Sequence, residues 1–257
     1  MPLAELDAGI AAAGLLVGFL VGMTGIGGGA LTTPILILIF RVSPLAAVGS
    51  DLVASVAMKV VGGGVHWRRG TVRTDLVRWL SVGSLPAAFG GVALLRVLHP
   101  GSLESTVERA LGVTLLFAVA AMAARPLILG WGRTAPDGPV VIRPLPTALV
   151  GAGVGLAVGL TSVGSGSLMI VMLLFLYPGL RSAELVGTDL VQAALLVSAA
   201  AAGHALFGAV QLSVTTSLLL GALPGVYVGA RLSSRAPDRI LRPILAGVLL
   251  VTGLKLV

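Results

Sequence analysis

Two short stretches carry the groups in this chain best suited to holding an anion. Residues 22–34 read Gly-Met-Thr-Gly-Ile-Gly-Gly-Gly-Ala-Leu-Thr-Thr-Pro, and residues 159–168 read Gly-Leu-Thr-Ser-Val-Gly-Ser-Gly-Ser-Leu. A glycine-rich turn lets successive backbone N–H groups point at one spot. A helix starting just beyond it adds a positive dipole end. In the first stretch the candidate substrate-binding positions are Thr24, Gly25, Gly27, Gly28 and Gly29. In the second they are Thr161, Ser162, Gly164, Ser165, Gly166 and Ser167, whose three serines add hydroxyl donors. Close helix packing competes as the explanation, because small residues let membrane helices approach.

Other polar residues stand inside apolar surroundings. Asp51 and Asp189 each fall a few residues into an apolar segment, where a carboxylate is costly and usually faces the bundle interior or a water path. They are candidates for proton or ion coupling, or for bonding the free amides of a broken helix. Lys59 is one of two lysines in the chain. At about 100° per residue, Asp51, Ser55, Lys59 and His66 share roughly 80° of one helix face. Lys59 could attract an anion, pair with Asp51, or snorkel towards the headgroups. Gln192, one turn from Asp189, could donate to a substrate or link helices. His66 and His204 are candidates for a relay or gate, or for a polar helix end that holds a loop. No histidine has metal-ligand spacing.

The elements that must position these groups follow from composition. The chain has 257 residues, 56% apolar and 11% charged, against about 25% charged in a soluble domain. It reads as an all-α, polytopic membrane protein. Five apolar segments are expected in 1–124, at about 8–23, 30–40, 45–65, 78–98 and 107–124. A loop follows at 125–146. Five more segments are expected in 147–257, at about 147–161, 167–178, 183–206, 212–230 and 240–257. The acidic start, with Glu5 and Asp7, lacks the basic region of a signal peptide, so the first segment is expected to stay as a span. The net charge of +7 comes from basic residues clustered at segment ends, which suits a lipid bilayer rather than nucleic acid. Without cysteine there is no disulfide framework.

The two halves repeat. At an offset of 137, Gly22, Thr24, Gly27 and Gly29 match Gly159, Thr161, Gly164 and Gly166. At an offset of 138, Asp51 matches Asp189, His66 matches His204, and Leu85-Pro86 matches Leu223-Pro224. A glycine-broken segment at the same place in each half points to a transporter's binding site. Charge decides the relative insertion. The loop after the third segment carries Arg68, Arg69, Arg73 and Arg78 against Asp75, and its counterpart at 206–212 carries none. Loops of opposite bias at matching places imply an inverted repeat, with both termini extracytoplasmic and the 125–146 linker inside. Segments two and seven are too short to cross alone. Each either extends through its glycine motif or dips in as a broken hairpin.

The Gly27-Gly28-Gly29 run with Pro34, then Ser43-Pro44-Leu45-Ala46 opening the next helix, resembles the TauE/SafE sulfite exporter family of membrane proteins. The resemblance spans nearly the whole chain. It implies a secondary transporter of small anions, such as sulfite, organosulfonates or other organosulfur acids, in a bacterial-type inner membrane. The second half departs from the pattern: Ser162 and Ser165 replace expected glycines, and Val171 stands where Pro34 has its echo. No cofactor, metal or nucleotide is expected. Gly25-x-Gly27-x-x-Ala30 has no preceding strand, and no Gly-Lys-Ser/Thr is present. Two other readings compete: an anion channel, and an intramembrane serine protease using Ser165 or Ser167 with His204. An enzyme is not expected. Whether protomers pair as a homodimer is open.

Overall fold

The computed structural model describes residues 6–24, 27–98, 103–130, 140–207, 209–232 and 238–257. The described residues form helices and no strand, as lipid demands: a spanning segment must satisfy its own backbone hydrogen bonds. Ten helices follow in order: α1 (Ala8–Thr24), α2 (Gly29–Leu38), α3 (Pro44–Arg68), α4 (Thr74–Leu98), α5 (Leu103–Gly130), α6 (Pro144–Thr161), α7 (Ser167–Leu176), α8 (Ser182–Leu206), α9 (Leu212–Leu232) and α10 (Asp238–Leu256). Six of them, α3, α4, α5, α6, α8 and α9, are long and apolar enough to cross a membrane.

The largest departure from the expected segment bounds is at the end of α5. α5 runs on to Gly130, past the point where residue 124 was expected to end it. The apolar Leu127-Ile128-Leu129 continues the helix through Pro126, and proline is better tolerated in a membrane helix than in a soluble one. Residues 131–139 of the expected linker lie outside the described residues. α2 and α7 have ten residues each, about 15 Å of helix against roughly 30 Å of hydrocarbon. Each follows its glycine turn rather than extending through it.

α3 and α8 are the most enclosed of the six long helices, and they run antiparallel. Near the start of α3, Ser50 Oγ accepts from the Gln211 N–H at 3.1 Å, just beyond the end of α8. Near the start of α8, Thr188 Oγ1 accepts from the Arg73 N–H at 3.0 Å, just beyond the end of α3. Around this pair, α1 packs along α9, α4 along α6, and α5 along α10. Exchanging the first five helices with the last five turns α1/α9 into α6/α4.

Glycine stripes make the two long contacts. On α1, Gly14 and Gly18 lie against the backbone of Leu218 and Ala222 of α9. In return, Gly221, Gly225 and Gly229 lie against Ala11, Leu15 and Phe19. On α6, Gly151, Gly155 and Gly159 lie against Leu80, Ser84 and Ala88 of α4. The numbers rise together, so both pairs are parallel. A glycine every fourth residue keeps one face bare, and backbones then approach to van der Waals contact.

Two apolar cores flank the central pair. One contains Leu80, Val158, Leu173 and Leu196; the other contains Val17, Leu36, Leu115 and Leu218.

Candidate functional site: two turns that meet

The first turn lies between α1 and α2. Gly28 caps α2, and its carbonyl accepts from the Leu31 and Thr32 amides and from the Thr32 hydroxyl at 3.0 Å. Of the expected site residues, Gly25 and the side chain of Thr24 lie outside the described residues. Gly27, Gly28 and Gly29 are described and buried.

The second turn lies between α6 and α7. Ser162, Gly164 and Gly166 have φ of 63°, 124° and 111°. The latter two use glycine's freedom in that region. Ser162 pays for a left-handed conformation that costs an L-residue about 1–2 kcal/mol. The Thr161 hydroxyl donates to the Ala157 carbonyl at 2.7 Å and accepts from the Val163 N–H at 3.1 Å. Thr161, Ser162, Ser165 and Ser167 are all buried.

The turns of the two halves abut. A Cβ placed on Gly27 would fall on the carbonyl oxygen of Ser165. One placed on Gly29 would fall on the carbonyl oxygen and hydroxyl of Ser162. Glycine is required at both places for backbone to meet backbone, so tight packing and proximity of the two turns are here the same fact.

Two buried carboxylates stand on the central helix pair. Asp51, on α3, accepts at Oδ2 from the Ser162 hydroxyl at 2.5 Å and from the Thr33 hydroxyl at 3.2 Å. It thus joins the second turn to α2. Asp189, on α8, is 1% exposed. Each has a second oxygen, Oδ1, that is buried and has no hydrogen-bond partner. Lys59 is 5% exposed, so its stem does not carry the amine to the surface, against the snorkelling alternative. It lies within electrostatic reach of both Asp51 and Asp189. Among the described residues no ion pair within 4.0 Å joins it to either.

Two of the remaining candidates tie helices together, and the third lies elsewhere. Gln192 Nε2 donates to Ser84 Oγ of α4 at 2.7 Å, and its Oε1 has no partner. His204 is fully buried, and its Nε2 donates to the Gly159 carbonyl at 2.9 Å, tying α8 to α6. His66 stands apart from the junction. Its Nδ1 is 2.9 Å from the Thr71 hydroxyl in the loop after α3. Thr33 and Ser84 belong to the site's bonding but did not emerge from the repeat, because their matching positions hold Ile170 and Ala222. Their signal was simply a hydroxyl within an apolar segment.

Comparison with known proteins gives the chain a family. Residues 10–256 match the family model described as Sulfite exporter TauE/SafE. The chain belongs to the TauE/SafE sulfite exporter family. "Probable membrane transporter protein YjnA" of Bacillus subtilis (strain 168) is 40% identical over 252 residues, covering 95% of this chain and 97% of the relative. "Probable membrane transporter protein YdhB" of the same organism is 23% identical over 244 residues, covering 92% of this chain and 96% of the relative. No solved structure matches the chain significantly. This TauE/SafE protein is therefore a multi-pass membrane transporter, and the junction of its two glycine turns is its candidate substrate site.

Proposed function

We propose that this transporter moves a small anion of the sulfite, organosulfonate or organosulfur-acid class, outward across a bacterial-type inner membrane, by alternating access. One observation carries the reading: the two turns touch at Gly27–Ser165 and Gly29–Ser162, each followed directly by a short helix whose first turn is buried. Broken helices at matching places in two repeats are where transporters bind their substrates. Amides at a helix start suit an anion. Thr24, Gly25, Gly27, Gly28 and Gly29 would meet it from one side, and Thr161, Ser162, Gly164, Ser165, Gly166 and Ser167 from the other, with Lys59 and Gln192 nearby. Asp51, Asp189, His66 and His204 would couple or gate.

The ten segments are read as two inverted repeats of five. The antiparallel course of α3 and α8 and the exchanged pairs α1/α9 and α6/α4 support this. One half rocking against the other would open the junction to each side in turn, with both termini extracytoplasmic and the linker cytoplasmic. The full-length protein in detergent should be screened by thermal shift against sulfite, small sulfonates, thiol acids and plain carboxylates. Stabilisation follows mass action. A sulfur-acid anion should raise Tm more than a carboxylate of equal size. No shift with any of these anions overturns the reading.

A further inference from the structure

We propose that Asp51 holds the two hydroxyl donors that the anion takes, those of Thr33 and Ser162, so that the anion binds together with a proton on Asp51. The inference rests on reading the junction of the two turns as an anion site. It adds Thr33 to the residues that meet the substrate, and it names the ion taken up with it.

The geometry starts at one carboxylate oxygen. Asp51 Oδ2 accepts from the Ser162 hydroxyl at 2.5 Å and from the Thr33 hydroxyl at 3.2 Å. One donor comes from the second turn, and the other from α2, the short helix that follows the first turn. They converge at the junction itself, because a Cβ on Gly29 would lie 2.7 Å from Ser162 Oγ. Two hydroxyls from opposite halves of the chain, aimed at one anionic oxygen, are donors that an oxyanion can use. A side-chain carboxylate already occupies them.

A proton on Asp51 would release them, because a neutral acceptor bonds about half as strongly as an ionised one. Ser162 is the readier of the two to let go. Its bond to Asp51 accompanies a left-handed conformation that an L-residue resists. The carboxylate also has a free oxygen for the proton. Asp51 is 0% exposed, and its Oδ1 is buried without a hydrogen-bond partner. A charged carboxylate oxygen left without a donor in such a place is more costly than a neutral carboxyl. The proton comes from water and returns to water, and no bond within the anion changes.

Charge points the same way. Asp51, Lys59 and Asp189 are all buried and sum to a single negative charge. A bound monoanion would make it two, in surroundings that screen poorly. One proton restores the original sum. The helices that pack chiefly against α3 are α2, α5, α8 and α9. α2 carries no titratable side chain, and neither do α6 and α7 on either side of the second turn. On α5, Glu104 and Arg109 are exposed and Glu108 is half-buried; Arg125 lies towards its other end. On α9, Tyr227 is exposed and Arg231 belongs to the last turn. Arg41, in the loop before α3, and Arg68, at its end, are exposed, and His66 is bonded to Thr71. On α8, Glu184 is bonded to Arg181 at 3.1 Å. Asp189 and His204, both buried on α8, are therefore the rival proton sites, and neither has a printed bond to the Ser162 or Thr33 hydroxyl that an anion would free.

Methanesulfonate is the probe, because it stays ionised at every pH used. Titrated into the purified full-length protein, it should bind more tightly as pH falls, by up to about tenfold per unit, with about one proton taken up per anion. Asp51→Asn should bind with an affinity that pH does not change. Asp189→Asn should keep the slope, and so should His204→Gln, whose amide can still donate to the Gly159 carbonyl. At the lowest pH, Thr33→Val should weaken binding by roughly tenfold or more, as loss of a hydrogen bond to a charged group does. A pH-independent affinity in the unaltered protein overturns the proposal and needs no variant. So does an Asp51→Asn protein that keeps the slope, and unchanged affinity in Thr33→Val removes that hydroxyl from the site. If methanesulfonate fails to bind at any pH, the sulfonate reading above fails instead, and hydrogen exchange judges this one. Without any anion, amides of residues 162–167 should exchange faster in Asp51→Asn than in the unaltered protein at the same pH. Equal exchange would show that the charge on Asp51 does not hold that turn, and would overturn the proposal.

Discussion

The Ser162 hydroxyl donates to Asp51 Oδ2 at 2.5 Å, across a separation of 111 residues and from one half of the chain to the other. The bond joins a residue in a left-handed conformation to a fully buried carboxylate. Glycine would adopt that conformation without strain, but it would leave Asp51 with one hydroxyl fewer. The serine therefore keeps a cross-half tie at the expense of local backbone ease.

This yields a graded prediction. Ser162→Ala keeps the strain and removes the bond, and should destabilise the protein by about 1.5–3 kcal/mol, the range for a hydrogen bond to a charged group. Ser162→Gly removes the bond and the strain together, and should lose about 1 kcal/mol less. Unfolding of the two variants in detergent checks the order. Equal losses would mean that the left-handed backbone is not strained by its side chain.

A second prediction concerns the junction. Gly27→Ala and Gly29→Ala each place a methyl on a carbonyl oxygen of the other turn. Backbone there cannot move aside as a side-chain tip can, so the cost should exceed the 1–3 kcal/mol usual for overpacking, and transport should be lost. Gly64→Ala is the control. Nothing lies within 4 Å of its would-be Cβ, and alanine favours a helix over glycine by about 0.5–1 kcal/mol. Tm measurements with uptake into proteoliposomes would compare the three, and full transport by Gly29→Ala would place the moving parts elsewhere.

Much of this was legible beforehand. Apolar run lengths located the helices, and Gly27-Gly28-Gly29 with Pro34 pointed to the family. The repeat paired Asp51 with Asp189 and so implied equal roles. Their bonding is unequal for a reason visible in the residues. Ser162 has a hydroxyl to give Asp51, whereas its counterpart Gly25 has no side chain to give Asp189. The depth of Lys59 was not legible, since a four-carbon stem can place its amine towards the interior or the headgroups. The glycine stripes were also available, as a spacing of four on α1, α6 and α9. The turns interrupt the apolar runs, whereas the stripes lie within continuous helices.

The stripe on α6 reaches the site through Ser84. A Cβ on Gly155 would fall on the Ser84 carbonyl, and Ser84 is the acceptor for Gln192. Gly155→Ala should therefore push α4 away and stretch that bond. Gln192→Ala removes it outright. The double variant should lose less stability than the two single losses added together, as expected for residues sharing one interaction. Gly153→Ala, on a face with no neighbour within 4 Å, should be additive with Gln192→Ala. If Gly155→Ala is additive as well, the stripe packs without positioning Ser84.

Membrane orientation can be tested cleanly, because the chain has no cysteine and any introduced thiol is the sole one. Arg69 lies just past the end of α3 and is exposed; Leu206 ends α8 and is 75% exposed. Because α3 and α8 run antiparallel, the two positions should lie on opposite faces of the membrane. The arginine-rich loop should be cytoplasmic. In intact cells, Leu206→Cys should react with an impermeant thiol reagent, and Arg69→Cys should react only after the membrane is opened. Labelling of both from outside would contradict the inverted insertion of the two halves, and with it the rocking motion that depends on opposed repeats. Labelling of Arg69→Cys alone from outside would keep the inversion and reverse the orientation, placing the termini in the cytoplasm.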